Sequence, residues 1–450
     1  MKELIIIGGG LAGCEAAWQA ARQGVNVLLF EMRPERMTEA HKTSSLSELV
    51  CSNSLRSKEV ITGPGLLKRE MEIADSPIMK AAKESEVPAG SAFAVDRNVF
   101  SEFITMIVES HPNIKVVRKE ITELPDTVAI IATGPLTSNS MADSIKSVIG
   151  EEHLHFYDAI APIIDAESID HSRVCLSSRY GKGGDDYVNC PMTKDEYNQF
   201  YDALMEADTV SARDFEDIKV FEGCMPVEVM GKRGRNTLVF GPLKPVGLPD
   251  PRTGKIPYAV VQLRPENMEK TAYNMVGFQR RLKWPEQKKV FRMIPGLENA
   301  EFMRFGSTHR NTFINSPRHL NADLTLKEKN NIYLAGQITG VEGYIESTAM
   351  GLIAGINAAR RIIGKEIAYP PRESAHGSLI THITESDTEH FQPSNINFGL
   401  MQVNGDILRM RDKRLRRQRL AEIALKEWTE YINNINKIKG EAKDLWQTKD

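Results

Sequence analysis

Residues 4–13 read Leu-Ile-Ile-Ile-Gly-Gly-Gly-Leu-Ala-Gly, and this stretch decides the fold. Four consecutive apolar residues, Leu4 to Ile7, suit a buried parallel strand covered on both faces. Gly8, Gly10 and Gly13 then satisfy the spacing G-x-G-x-x-G. The first glycine allows a tight turn, the second lets backbone approach a pyrophosphate, and the third lets a helix pack closely on the strand. An alanine-rich helical run from Cys14 to Gln23 follows, with Gly24 as its C-cap. Residues 25–30 (VNVLLF) form a second strand, and Glu31 stands at its tip, where an acid accepts from ribose hydroxyls. Free N–H groups and the positive dipole end of the helix complete an anion site. A glycine turn without a ligand lacks this full context.

FAD, NAD and S-adenosylmethionine all use such turns. Two distant segments favour FAD. Residues 128–134 (VAIIATG) resemble the strand-ATG element of two-dinucleotide-fold flavoproteins, and residues 332–344 (IYLAGQITGVEGY) resemble their late strand, which ends at the flavin. The helix that follows aims its N-terminus at the isoalloxazine in that family. The usual acid after the Ala-Gly pair is here Gln337. The expected cofactor residues are Gly8, Gly9, Gly10, Leu11, Ala12, Gly13, Glu31, Gly134, Gly336, Gln337, Glu342, Gly343 and Tyr344.

A length of 450 residues exceeds one average domain. The α/β pattern is interrupted from about 155 to 305 by short β-rich runs such as 237–240 (TLVF) and 258–263 (YAVVQL), then resumes at 332. The expected architecture is therefore a Rossmann-type FAD-binding α/β domain in two parts, 1–155 and 306–450, with an inserted α+β substrate domain over 156–305. Residues 36–70 read as a long polar loop running into a helix, and loops of that length are usually functional.

The net charge of -3 gives no bulk attraction to nucleic acid, so RNA binding would need local basic patches. No run of about 18 apolar residues is present, so no transmembrane helix is expected. Five cysteines without a CxxC pair argue for a reducing compartment, and we expect a cytoplasmic protein with no metal site.

The ordered set GGGLAGCEAA, EMRP, CSNSLRS, AVDRNVF, GCMPVE, STHRNTFI and GQITGVEGYIES resembles the folate- and FAD-dependent tRNA uracil-5-methyltransferase family. It spans most of the first 350 residues. The last segment is also similar to the larger wobble-uridine carboxymethylaminomethyl flavoproteins, whose extended C-terminal region this chain lacks. The resemblance implies methylation of C5 of the T-loop uridine U54 in tRNA. Methylenetetrahydrofolate would supply the carbon, and FAD reduced by NAD(P)H would carry or reduce it.

Uracil C5 is a poor nucleophile, and thiolate addition at C6 makes it enolate-like. Cys51 lies in the long polar loop, with Arg56 and Lys58 near enough in sequence to lower its pKa. Cys224 lies in a Gly/Pro-rich loop. By resemblance the two match the family's active-site cysteines, with the division of roles open. Cys14, Cys175 and Cys190 read as small buried hydrophobes. The family also suggests that His309 stacks on the folate pterin; Arg310 is a candidate partner for a folate carboxylate. Tyr344 stacks on flavin or uracil, or else is core at a helix start.

Three basic runs could follow a phosphate backbone: 409–419 (RMRDKRLRRQR), a cluster of Arg280, Arg281, Lys283, Lys288 and Lys289, and Lys232, Arg233 and Arg235. Leu408 and Leu415 suggest a narrow apolar seam seating the first of them on a helix. The competing readings are a flavin oxidoreductase acting on a small molecule, the same methylation on ribosomal RNA, and an assembly role with a partner protein.

Overall fold

The computed structural model describes residues 3–437 except 151–153, 160, 210–224, 251–252, 307, 403–406 and 408, with backbone alone at 154–159 and 308–310. The apolar run at the start forms strand β1 (Glu3–Ile7) at the centre of a five-stranded parallel sheet. On one side it pairs with β2 (Asn26–Glu31), which pairs in turn with Ile114–Arg118. On the other side it pairs with Ala129–Ile131, and that strand with Ile332–Leu334. The two segments singled out as flavoprotein-like thus lie side by side next to the glycine turn.

Helix α1 (Leu11–Ala21) connects β1 to β2 and starts three residues before the expected Cys14, directly at the glycine turn. All eleven of its residues are buried. The sheet covers one side and the helix Tyr344–Ile362 the other. That second approach is close: a Cβ on Gly351 would lie 2.2 Å from the Ala12 carbonyl oxygen, and one on Gly355 2.5 Å from that of Ala16. Small residues on both helices let the backbones touch and wedge α1 against the sheet.

The segment from 163 to 304 builds a separate antiparallel sheet of six strands, ordered Cys175–Leu176, Val188–Met192, Ala259–Pro265, Ala272–Met275, Ile163–Asp165 and Phe302–Arg304. Helices Lys194–Glu206 and Trp284–Phe291 pack on it around a core of its own. The run 237–240 corrects the expectation of a β segment: Thr237–Phe240 is one helical turn, with Leu238 fully buried in that second core. Burial of one side chain outweighs the β preference of a Thr-Leu-Val-Phe run. The strands Leu154–Ala159 and Thr308–Phe313 pair with each other where the chain leaves and re-enters the parallel layer.

Helix Lys413–Lys437 is the last described element. Its seam is Leu420, Ala421, Ala424, Trp428, Ile432 and Ile435, all buried. Trp428 stacks on the buried His376 ring at 4.1 Å and donates to the Glu70 carbonyl at 2.7 Å. Leu415 is 51% exposed, so it does not seat the helix as expected; its supposed partner Leu408 lies outside the described residues.

Candidate functional site

Glycine chemistry at the first turn is visible in the geometry. Gly8 has φ 109°, and a Cβ there would sit 2.4 Å from the Ala132 carbonyl oxygen. A Cβ on Gly13 would lie 1.8 Å from the Gly8 oxygen, so this residue is required for the helix to start. A Cβ on Gly10 would meet nothing within 4 Å. Gly10 instead borders a cleft of about 1040 Å³, open solvent included. Helix α1 has no side-chain N-cap, so its first N–H groups remain for a ligand.

Glu31 borders the same cleft and is 5% exposed. Burial alone would raise its pKa. The Arg33 guanidinium, donating at 2.9 Å, together with backbone N–H groups of Arg33 (3.0 Å) and Gly9 (2.9 Å), holds it below the usual value. The carboxylate is thus ionised and fixed. Leu11, Ala12, Gly134, Gly336, Gln337 and Tyr344 also line this cleft. Gly9 supports it through Glu31. Glu342 and Gly343 fall in a second cleft. Gln337, which replaces the expected acid, donates to Glu342 at 2.8 Å and fixes that carboxylate.

The second cleft, about 1000 Å³ with open solvent included, is lined by Cys51, Arg56, Gln279, Asn311 and Glu346 among others. Val50, Pro135, Leu136, Gln337 and Tyr344 line both clefts, so the two share a wall. The Cys51 segment is held from several directions. Arg97 donates to the Leu49 carbonyl at 2.6 Å, and Arg304 to that of Val50 at 2.9 Å. Arg264 donates to Ser52 Oγ at 2.8 Å and to Asn53 Oδ1 at 2.9 Å. Tyr344 Oη accepts the backbone N–H of Cys51 at 2.8 Å and that of Ser52 at 3.2 Å. Asn53 Nδ2 reaches the carbonyls of Val95 and Pro265 at 3.0 and 3.1 Å.

These arginines add to the cations that the sequence placed near Cys51. Arg56 is paired with Glu346 at 3.1 Å and Lys58 with Glu86, whereas Arg97, Arg264 and Arg304 each interact electrostatically with Cys51. Burial lowers the pKa of Arg264 and Arg304. Burial opposes the charge on Arg97 too, but Glu266 at 2.7 Å more than compensates and raises it. Sequence reading missed all three. A charged Leu-Arg-Pro-Glu stretch at the end of a strand, 263–266, was the available signal for Arg264.

Cys14 is fully buried, and burial pushes its thiol up to about 12. Cys190 is shifted upward for the same reason. Both behave as the inert hydrophobes expected. Cys175 departs from that expectation, being only half-buried. Cys224 lies outside the described residues. His309 and Arg310 lie on the strand Thr308–Phe313, described there by backbone alone; the same strand delivers Asn311 to the second cleft.

The basic runs fare differently. Arg280 is fully buried, donates to Gln287 at 2.7 Å and sits 4.4 Å from the Phe291 ring centroid, so it is core and not surface. Lys283 pairs with Asp208, and Arg235 with Asp202. Residues 409–419 are largely exposed. Among the described residues no helix is long and apolar enough to cross a membrane.

A parallel sheet carrying a glycine turn, a fixed acid and a long cleft at its strand ends defines a Rossmann-type dinucleotide-binding protein of the flavoprotein fold. Residues 3–366 match the family described as glucose inhibited division protein A. The structure resembles that of Aquifex aeolicus GidA, with a TM-score of 0.68 and 18% identity, covering 97% of this chain and 76% of that one. A protein of Natranaerobius thermophilus named methylenetetrahydrofolate--tRNA-(uracil-5-)-methyltransferase TrmFO is 56% identical over 430 residues, covering 95% of this chain and 99% of the relative. One of the same name from Geobacter sulfurreducens is 56% identical over 432 residues, covering 96% and 99%. The chain belongs to this methylenetetrahydrofolate--tRNA-(uracil-5-)-methyltransferase family, within the wider glucose inhibited division protein A group.

Proposed function

We propose that this protein methylates C5 of the T-loop uridine U54 in tRNA, taking the carbon from methylenetetrahydrofolate and using FAD reduced by NAD(P)H. The observation that carries the reading is the shared wall of the two clefts, Val50, Pro135, Leu136, Gln337 and Tyr344. It brings the end of a dinucleotide site against the chamber that holds Cys51.

The first cleft fits FAD. Gly10 leaves room for a pyrophosphate, the start of α1 offers uncapped N–H groups, and Glu31 is ionised at the ribose position. Bound FAD would supply the two electrons that turn a methylene into a methyl group. The chain's own residues do the rest. Gly8, Gly10 and Leu11 cradle the phosphates. Tyr344 and the three arginines hold the Cys51 segment in place. Cys51 and Cys224 act as a pair, one adding to uracil C6 and the other assisting proton or one-carbon transfer. Cys224 is supported by its chain neighbourhood: Met225 is buried, and the Val227 N–H donates at 2.7 Å to the carbonyl of Gln279, a residue of the second cleft. His309 stacks on the pterin and Arg310 pairs with the folate carboxylate, consistent with their strand reaching the cleft at Asn311. We place the reaction in the cytoplasm.

The test is a methylation assay with undermethylated tRNA and ribosomal RNA side by side, with methylenetetrahydrofolate and NADH or NADPH. We expect 5-methyluridine in tRNA alone, lost in Cys224→Ala and Cys51→Ala while flavin absorbance stays. Methylated ribosomal RNA would move the substrate. Flavin turnover with no gain of mass in either RNA would make the protein a small-molecule oxidoreductase.

A further inference from the structure

The electrostatics of helix Lys413–Lys437 are arranged against its own dipole. The positive end of a helix favours acids, yet the first turn and a half of Lys413–Lys437 carries Lys413, Arg414, Arg416 and Arg417 and no acid. Asp412, just before it, is used as a cap for the backbone N–H groups of Arg414 and Leu415, at 2.8 and 3.1 Å. Among the described residues Arg414, Arg416 and Arg417 make no ion pair. Arg419 does, with Glu422 at 2.9 Å. An unpaired cation cluster on a positive helix end costs stability unless an external anion offsets it.

A groove runs beside these arginines. It holds about 1080 Å³, open solvent included, and is walled by Thr62–Pro64, Ile396–Gly399, Arg416, Arg417 and Leu420. Among the described residues no carboxylate lines it. One hydrogen bond joins its wall to that of the candidate active site. The Ile396 N–H donates at 3.0 Å to Glu346 Oε1, and Glu346 lines the Cys51 chamber. Gly63 is pressed against Ile396, since a Cβ there would lie 2.6 Å from the Ile396 carbonyl oxygen.

We propose that this groove is the track for the sugar-phosphate backbone of the RNA whose base enters the Cys51 chamber, with Arg416 and Arg417 as phosphate contacts. The inference rests on the methyltransferase reading above. An RNA backbone matches a groove whose described residues include unpaired cations and no acid, and a base taken out of a folded loop must keep its flanking phosphates near the chamber mouth. The other two basic regions fit less well: Arg280 is buried, and Lys283 and Arg235 are paired with acids.

The test compares the full-length parent with Arg416→Ala/Arg417→Ala and Arg416→Lys/Arg417→Lys. Melting temperature and flavin absorbance control for folding. tRNA affinity is measured between 50 and 200 mM salt, and the KM for tRNA under methylation conditions. Loss of two phosphate contacts should weaken binding roughly ten-fold and make the slope of log K against log salt shallower by about 2. The lysine pair should keep the parent slope, because the slope counts the phosphates neutralised and lysine keeps the charge. Unchanged affinity and slope in the alanine pair would overturn the proposal, as would equal loss in the lysine pair, which marks a packing role. Loss of binding to phosphatidylglycerol vesicles with tRNA affinity intact would assign the groove to a membrane surface instead. A parent that binds tRNA through these arginines but methylates none sinks the methyltransferase reading and leaves the groove standing.

Discussion

The hydroxyl oxygen of Tyr344 accepts the backbone N–H of Cys51 at 2.8 Å, although the two residues are 293 positions apart. Tyr344 opens the helix that packs on α1, and Cys51 sits in the polar loop after β2. One hydroxyl therefore locks the thiol-bearing segment to the element that borders both clefts. Replacing Tyr344 by Phe keeps the ring and strips the acceptor from two N–H groups. Net loss of hydrogen bonds of this kind is worth about 0.5–1.5 kcal/mol each. We expect a fall in methylation rate of roughly ten- to hundred-fold, read in single turnover, with the flavin spectrum retained. An unchanged rate would remove the hydroxyl from the mechanism.

Arg264 gives a second handle on the same segment. Arg264→Met takes the donors from Ser52 and Asn53 and removes one of three cations that interact with Cys51. A nearby cation favours thiolate over thiol. Alkylation of Cys51 by iodoacetamide at pH 7, followed by peptide mass spectrometry, should slow about three- to ten-fold, and its pH profile should move upward. If rate and profile both stay at parent values, the arginines hold backbone only.

How much of this was legible in sequence follows from separation along the chain. The glycine turn, α1, β2 and Glu31 form one local unit, and each choice in it supports the same structure. The strands at 129–131 and 332–334 are short apolar runs ending at glycine turns and were equally plain. The Cys51 cage was not, because Arg97, Arg264 and Arg304 come from three elements that only the fold brings together. Arg280 misled for the reverse reason: beside Arg281 and Lys283 it reads as surface, and only packing against Phe291 and Gln287 shows it as core. The seam of the last helix was misplaced because two leucines seven apart suggested it, while the docked face begins at Leu420 and centres on Trp428.

Gly10 and Gly13 should fail in opposite ways. Gly10→Val places side-chain atoms where a Cβ meets nothing within 4 Å, so the chain should fold with a parent-like melting temperature. The same atoms fill the pyrophosphate position, and the purified protein should be colourless. Gly13→Ala puts a Cβ 1.8 Å from the Gly8 oxygen, a backbone atom held in the turn. Overpacking of this kind costs about 1–3 kcal/mol or more, and this variant should lose melting temperature whether or not flavin is added. A yellow Gly10→Val protein would show that the turn does not carry the dinucleotide.

Two buried groups give the stability a pH signature. Burial raises Glu15 to about 7 from an ordinary 4.5, against hydrogen bonds from Ser76 and Gln19. The folded state therefore keeps a proton that the unfolded chain has lost, and the contribution of Glu15 falls as pH rises from 4.5 to 7. Burial lowers Lys68 to about 7 from 10.5, against the attraction of Glu346. The unfolded chain then binds the extra proton, so stability from this group rises with pH between 7 and 10.5. Melting curves of the parent against Glu15→Gln should converge or cross as pH climbs from 4.5 to 7 and run parallel above it. Those against Lys68→Met should run parallel below 7, with the variant ahead, and the parent should gain on it at higher pH. Lys68 Nζ has the Leu55 carbonyl at 2.7 Å, beside the Cys51 chamber, so binding of a substrate there should move the second window. Curves that stay parallel from pH 5 to 10 would mean that folding shifts the pKa of neither group.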